Sequence, residues 1–184
     1  MIVEAIISTL DGKGRPNFAP MGVIWGEEMV LHPFRNTTTY KNLVSLGWGV
    51  VNVTDNVTIF VRSALSDAQF PHFPARKVPG VVLEDVCYWR ELAVLSVEEG
   101  EERAEVICNV VARGRKRDFL GFNRGKNAVI EATILATRLD LHGRDEVKTA
   151  FGRLNRIVAR TGGKEEVEAM KFLRGYVRGY YGKG

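Results

Sequence analysis

Apolar and polar positions along this chain change their period part-way through. Ile2 to Thr9 reads as a strand, with a turn over Asp11-Gly12-Lys13-Gly14. Asn17 to Trp25 reads as a second strand, and Pro20 within it implies an edge position or a bulge, because proline cannot donate to a ladder. Gly26-Glu27-Glu28 is a hairpin turn into Met29 to His32, and Pro33 closes that strand. From Thr38 the spacing becomes helical through Tyr40, Leu43, Val44 and Leu46, and Gly47 to Val53 returns to a largely apolar strand. Val57 to Leu65 fits a strand by alternation or a short helix capped by Asp55. Ser66 to Gly80 is a loop with Pro71, Pro74 and Pro79 interleaved with Phe70, His72 and Phe73. Its length suits a lid or binding loop, and its aromatic residues suit anchors for the loop slightly better than a cover over a ligand. Val82 to Val97 and Arg103 to Arg113 are two long strands joined by the acidic tip Glu98 to Glu102, expected to be a solubilising turn.

From Phe122 onward the period is helical. Val129, Ile130, Ile134, Leu135 and Leu139 stripe one helix. Val147, Phe151, Leu154 and Val158 stripe a second, which ends at Gly162-Gly163 with Arg160 in its last turn. Val167, Met170, Leu173, Tyr176, Val177 and Tyr180 stripe a third. A β-rich part over 1–120 is therefore followed by a helical subdomain over 121–184. The helices are expected to pack on the β part or on a partner subunit, since no linker rich in Pro or Ser separates the two.

Composition narrows the function classes. The chain is 45% hydrophobic and 26% charged, ordinary for a globular protein, and no run approaches the ~20 apolar residues of a membrane span. The start, MIVEAIIST, lacks a basic leader pattern, so the expected location is the cytoplasm. Cys87 and Cys108 lack CxxC spacing and are expected to be buried thiols; His32, His72 and His142 share no ligand spacing, and no metal is expected. The net charge of +4 peaks at Arg113-Gly114-Arg115-Lys116-Arg117, which would attract a nucleic-acid backbone. With no nucleic-acid motif or stacking aromatics beside it, a solvated basic loop or a dimer-edge cluster is the preferred reading. Attraction of a nicotinamide phosphate or another anionic substrate is a third.

The richest chemistry lies in Pro33 to Leu43, PFRNTTTYKNL, where an extended segment turns into a helix. Asn36 or one of Thr37, Thr38 and Thr39 is the N-cap, and the first turn exposes backbone N–H groups without internal partners. Those amides, the hydroxyls, the helix dipole and the Arg35 guanidinium together suit a phosphate. A threonine-rich cap with no ligand is the competing reading. A second cationic and amide-bearing turn, Asn123-Arg124-Gly125-Lys126-Asn127, opens the first C-terminal helix. It suits either an anion or a plain cap by Asn123, with Glu131 as a partner for Arg124 or Lys126.

The order strand, Gly-rich turn, NFAPMG strand, hairpin, strand, phosphate-suited turn and helix resembles the FMN-binding split-barrel proteins related to flavin reductases. Together with FNRGKNAVIEATILATRL (Phe122 to Leu139), it looks most like an archaeal and bacterial group of that superfamily, a domain of unknown function (DUF447-like). The resemblance implies an α+β fold, an antiparallel split β-barrel over 1–120 with a C-terminal helical subdomain, and a helix at Val57 to Leu65. It implies FMN as cofactor and a homodimer with flavin near the interface. By position, Arg35, Asn36, Thr37, Thr38, Thr39 and Asn42 would hold the phosphate and ribityl chain. The backbone at Ala19, Pro20, Met21 and Gly22 would follow the isoalloxazine edge. Asn52, on the Val50 to Val53 strand, is counted with them, and Arg124 and Lys126 would reach the phosphate or the pyrimidine. With Arg62, these two are also candidates for the cation beside the flavin N1–C2=O side.

The expected function is that of a flavoprotein, an FMN-dependent oxidoreductase of unspecified substrate drawing on a nicotinamide or another electron donor. The alternatives are an FMN carrier or sensor without turnover, and a nucleic-acid-binding barrel using residues 113–117. No Ser-His-Asp, Cys-His or glycine-rich nucleotide motif is present, and no side chain is named as a proton donor.

Overall fold

The computed structural model describes residues 1–182, which fall into two units: 1–54 with 67–119, and 55–66 with 120–182. The first is built on strands β1 (Ile2–Leu10), β2 (Pro16–Ile24), β3 (Glu28–Leu31), β4 (Trp48–Val53), β7 (Tyr88–Glu99) and β8 (Ala104–Arg115), with helix α1 (Thr38–Leu46) between β3 and β4. A small hairpin, β5 (His72–Pro74) with β6 (Val81–Leu83), lies between β4 and β7. The six longer strands close into an antiparallel barrel in the order β1-β2-β3-β8-β7-β4.

Alternation places Ala5 and Ile7 of β1 in the barrel core with Val23, Met29, Leu31, Val51, Leu92 and Val106. Tyr40 and Leu43 of α1 join that core. The opposite face of β1 is also buried, because residues 78–87 run across it: the Ser8 hydroxyl donates to Val81 O at 2.5 Å. This is why β1 reads as continuously apolar. Helix α1 ends at Gly47, whose φ of +74° is the left-handed conformation that glycine adopts without strain, and its N–H returns to Leu43 O. At Gly114 the reason for glycine is space, since a Cβ there would stand 2.0 Å from the Trp89 ring.

The second unit contains α2 (Val57–Leu65), α3 (Arg124–Ala136), a 3₁₀ turn (Leu139–Leu141), α4 (Arg144–Thr161) and α5 (Lys164–Tyr181). Its core joins Val57 and Val61 of α2 to Val129, Ala132, Phe151, Leu154, Met170 and Leu173. Val57 to Leu65 is thus a helix, and its cap is Asn56 rather than Asp55. The expected boundary near 120 leaves α2 on the barrel side, whereas its apolar stripe is buried among the C-terminal helices. No helix among the described residues is long and apolar enough to cross a membrane.

Two features decide between alternatives that the sequence leaves open. Pro20 sits opposite Ile6 in an unbroken β1–β2 register, so the proline marks an open edge and not a bulge. The loop 66–80 contains β5, and its aromatic residues pack downward, Phe70 on Phe18 at 5.5 Å and Phe73 on Trp89 at 5.6 Å. Neither cysteine forms a disulfide, both are buried, and burial pushes the Cys108 thiol up to about 12.

Residues 76–78 are fastened by one fully buried carboxylate. Glu91 accepts the N–H groups of Arg76 (3.0 Å), Lys77 (2.6 Å) and Val78 (3.3 Å) and the Trp89 indole N–H (3.2 Å). Burial pushes its pKa up, but the four donors outweigh that and hold it below the usual carboxylate value. A carboxylate held low stabilises the fold above its ordinary pKa, and that contribution is lost as pH falls through the acid range. Glu91→Leu should cost about 1–3 kcal/mol in chemical denaturation at pH 7 and less at pH 4, because it strands donors that only an ionised carboxylate satisfies.

Candidate functional site

Strand β2 pairs with β1 along all nine residues but with β3 only at Val23 and Ile24. From Pro16 to Gly22 its second edge has no strand partner among the described residues, so alternate backbone groups face outward there, and only Pro16 O is met by a side chain, accepting from Gln69 Nε2 at 3.2 Å. Ala19, Pro20, Met21 and Gly22 all lie on this open stretch and are half-buried. The open edge runs to α1: Asn17 Nδ2 donates to Thr39 Oγ1 at 3.0 Å, which places the first turn of the helix beside the start of β2.

Thr37 is the cap. Its hydroxyl accepts from Tyr40 N–H at 3.3 Å and donates to Phe34 O at 2.7 Å. Lys41 is the first residue to close an i→i−4 bond, to Thr37 O at 3.2 Å, which leaves the Thr38 and Thr39 amides without an acceptor in the helix. Arg35, Asn36 and Thr38 are exposed at this turn. Arg35 is held by the acidic tip, donating to Glu99 Oε2 at 2.5 Å and Gly100 O at 3.2 Å. Tyr40 donates to the other Glu99 oxygen at 2.5 Å, and this hydrogen bond to a carboxylate raises the phenol pKa. The tip is therefore more than a solubilising turn, because Glu99 sets the charge of the helix start.

Several predicted site residues are committed elsewhere. Asn42 is buried and donates to Thr9 Oγ1 at 3.0 Å. Asn52 is fully buried, donates to Ile6 O at 3.1 Å and Ser8 Oγ at 2.9 Å, and accepts Leu83 N–H at 2.9 Å. Both ends of its amide are consumed in fastening β6 across β1 and β4, so its side chain has a structural role. Thr39 is buried with its hydroxyl on Asn17 and can offer only its backbone. Arg62, Arg124 and Lys126 belong to the helical unit, where Arg62 and Arg124 are exposed. Lys126 reaches Asp55 O at 2.5 Å and the buried Glu166 carboxylate at 3.1 Å, and Asn123 caps α3 through Lys126 N–H. Glu166, not the exposed Glu131, is the partner of Lys126.

The basic run 113–117 is largely neutralised. Arg115 pairs with Asp118, Lys116 with Glu84, and Arg117 with Asp85 at 2.7 Å. Among the described residues no group of His, Cys, Asp and Glu could hold a metal ion. Two residues that the sequence reading did not assign to the site, Asn17 and Glu99, organise it. Their side chains meet α1 from positions 22 and 59 residues away, a relation that no local motif carries.

The Lys126 assignment is testable through stability. Lys126→Ala should destabilise the helical unit by roughly 3–5 kcal/mol, as when a buried ion pair loses one partner, and should shift the thermal transition without a specific effect at the α1 turn.

Comparison with known proteins adds the following. Family profiles for a protein of unknown function, DUF447, match residues 3–117 with the N-terminal domain and 123–175 with the C-terminal part. A crystal structure of an FMN-bound protein of that family from Methanosarcina mazei is similar at 27% identity and TM-score 0.83, covering 95% of this chain and 94% of its own. An FMN-binding protein from Thermus thermophilus with bound p-hydroxybenzaldehyde shares the barrel at 18% identity and TM-score 0.53, over 62% of this chain and 71% of that one. An NADH:FAD oxidoreductase from Streptomyces globisporus does so at 10% identity and TM-score 0.54, over 61% and 75%. The last two likenesses speak to the fold alone. With both parts of the chain matched and in the same order, this protein belongs to the DUF447 family.

Proposed function

We propose that the chain binds FMN along the open edge of β2 and the first turn of α1, and acts as an FMN-dependent oxidoreductase. What carries this reading is the continuity of two complementary surfaces. The outer edge of β2 from Phe18 to Gly22 can match the polar edge of a flat ring, and it runs to helix amides with no acceptor in the helix beside Arg35, which suit a phosphate. The likeness to an FMN-bound family member over nearly the full chain supports the same cofactor.

The residues present fit such a group. The Thr38 and Thr39 amides and the Arg35 guanidinium would hold the phosphate, with the Asn36 and Thr38 side chains exposed beside it. Alternate backbone groups of Ala19 to Gly22 would orient the ring system. When bound, FMN supplies hydride and single-electron chemistry, while the protein binds it, orients it and sets the local charge. Glu99 opposes anion binding: a carboxylate already occupies Arg35, so a phosphate must share the guanidinium or displace it. A nicotinamide donor and a homodimeric state accompany this proposal, and light scattering that returns twice the chain mass would support the dimer.

Two substitutions should move affinity in opposite directions. Arg35→Ala removes a charge-assisted hydrogen bond worth ~1.5–3 kcal/mol and should weaken FMN binding about tenfold or more. Glu99→Gln removes the competing charge and should tighten it. Fluorescence titration of FMN into each variant reads both effects, and unchanged affinity in Arg35→Ala would place the phosphate elsewhere. The absorbance spectrum before and after FMN and then NADH or NADPH tests the reaction. Bleaching of bound flavin supports turnover. A spectrum that stays oxidised favours a carrier or sensor, and failure to take up FMN removes the proposal.

A further inference from the structure

The end of the barrel away from α1 opens as a cavity of about 570 Å³. Strand β2 connects the two regions: Asn17 at its start touches α1, and Trp25, just past its end, lines the cavity. Eight residues of strand at about 3.3 Å each put roughly 25 Å between them. The inner wall is apolar, formed by Val3, Trp25 and Tyr88, with the two rings edge to face at 6.0 Å.

The charge at this mouth is unusual. Arg90 and Arg113 stand directly opposite one another on β7 and β8, a cross-strand like-charge pair that by itself disfavours the sheet. Both line the cavity, and no carboxylate does. Among the described residues neither forms an ion pair; Arg115, which also lines the cavity, is matched by Asp118, and Lys116 and Arg117 just beyond are matched by Glu84 and Asp85. Arg90 is half-buried, its guanidinium 5.4 Å from the Trp25 ring centre and 5.5 Å from that of Tyr88, with a hydrogen bond to Trp89 O at 2.9 Å. Desolvation and the neighbouring Arg113 charge lower its pKa, the direction expected of a cation held in place without a counter-charge. Two uncompensated guanidinia at the rim of an apolar cavity form a receptor for an anion that carries an apolar body.

We propose that this mouth binds a small organic anion, its phosphate or carboxylate held by Arg90 and Arg113 and its ring or chain seated against Val3, Trp25 and Tyr88. The volume suits a ligand the size of a mononucleotide or an aromatic acid. The site is separate from the α1 turn, and the Gly22 end of the β2 edge proposed for the flavin ring lies three residues, about 10 Å, from Trp25.

Calorimetric titration of the full-length protein, saturated with FMN, tests this with four probes: AMP, benzoate, inorganic phosphate and adenosine. The same titrations on Arg35→Ala report any occupancy of the α1 turn. AMP or benzoate should bind saturably, once per chain, and quench tryptophan fluorescence through Trp25. Adenosine and inorganic phosphate, each carrying half of the recognition, should bind at least tenfold more weakly. AMP alone would identify an organic phosphate as the ligand class, and benzoate alone a carboxylate. Arg113→Gln should weaken the preferred probe about tenfold or more, Arg113→Lys should retain much of its affinity, and Arg35→Ala should leave it unchanged. Arg113 is exposed, so its variants test the site even if Arg90→Gln disturbs the aromatic packing. Saturable binding of neither AMP nor benzoate, or affinity that survives Arg113→Gln intact, overturns the proposal.

Discussion

Strand β2 has nine residues and β3 has four, and that mismatch governs the rest of the barrel. β1 satisfies one edge of β2 completely, but β3 reaches only Val23 and Ile24 on the other. A barrel normally removes strand edges, and here the closure leaves one partly open. Backbone that has no ladder partner must find water or a ligand. Pro20 is tolerated for the same reason, since a strand with an open edge does not need every N–H. Because β3 leaves β2 early, residues 33–35 stay hydrogen-bonded to 102–104 on the other side, and the chain then turns to start α1 beside the open edge. One shortfall in pairing thus produces both halves of the candidate site.

Charge is arranged around that site in layers. The protein is basic overall, yet most cations of the 113–117 run are matched by Glu84, Asp85 and Asp118, and Arg35 is matched by Glu99. These pairs are at least a third exposed and each contributes little to stability. Their effect is to decide which positive charge remains available. At α1 the helix amides and a shared guanidinium remain, and at the opposite end of the barrel Arg90 and Arg113 remain without a carboxylate. The carboxylates therefore shape anion recognition by where they stand and by where they are missing.

Several polar residues that look chemical in the sequence serve the scaffold instead. Glu91, Asn52 and Ser8 bind the segment 76–83 onto the outside of the barrel, and Glu166 with Lys126 ties α3 to the start of α5 and to the chain at Asp55. Buried polar groups of this kind are costly unless every donor and acceptor is used, and here no buried side-chain polar atom among the described residues lacks a partner. Full use is what separates them from the exposed Arg35, Asn36 and Thr38. An amide whose hydrogen-bonding capacity is spent on its own fold has little left for a ligand.

The sequence by itself determined the local elements, because their causes are local. Short apolar runs bounded by turn residues marked β1, β2 and β4, the threonine cap and following apolar stripe marked α1, and helical spacing after Phe122 marked α3, α4 and α5. The PFRNTTTYKNL and NFAPMG segments were legible as candidate chemistry for the same reason: caps and prolines act over a few residues. Only the tertiary structure decided that Thr37 is the cap, that α2 belongs with the C-terminal helices, that Glu99 holds Arg35 and Tyr40, and that Asn42, Asn52 and Lys126 are used internally. Each of these depends on a partner far along the chain, and periodicity carries no information about which distant residue will arrive at a given face. The pairing of Arg90 with Arg113 is of the same kind, since it follows from the register between β7 and β8, which contains irregularities that only the folded sheet reveals.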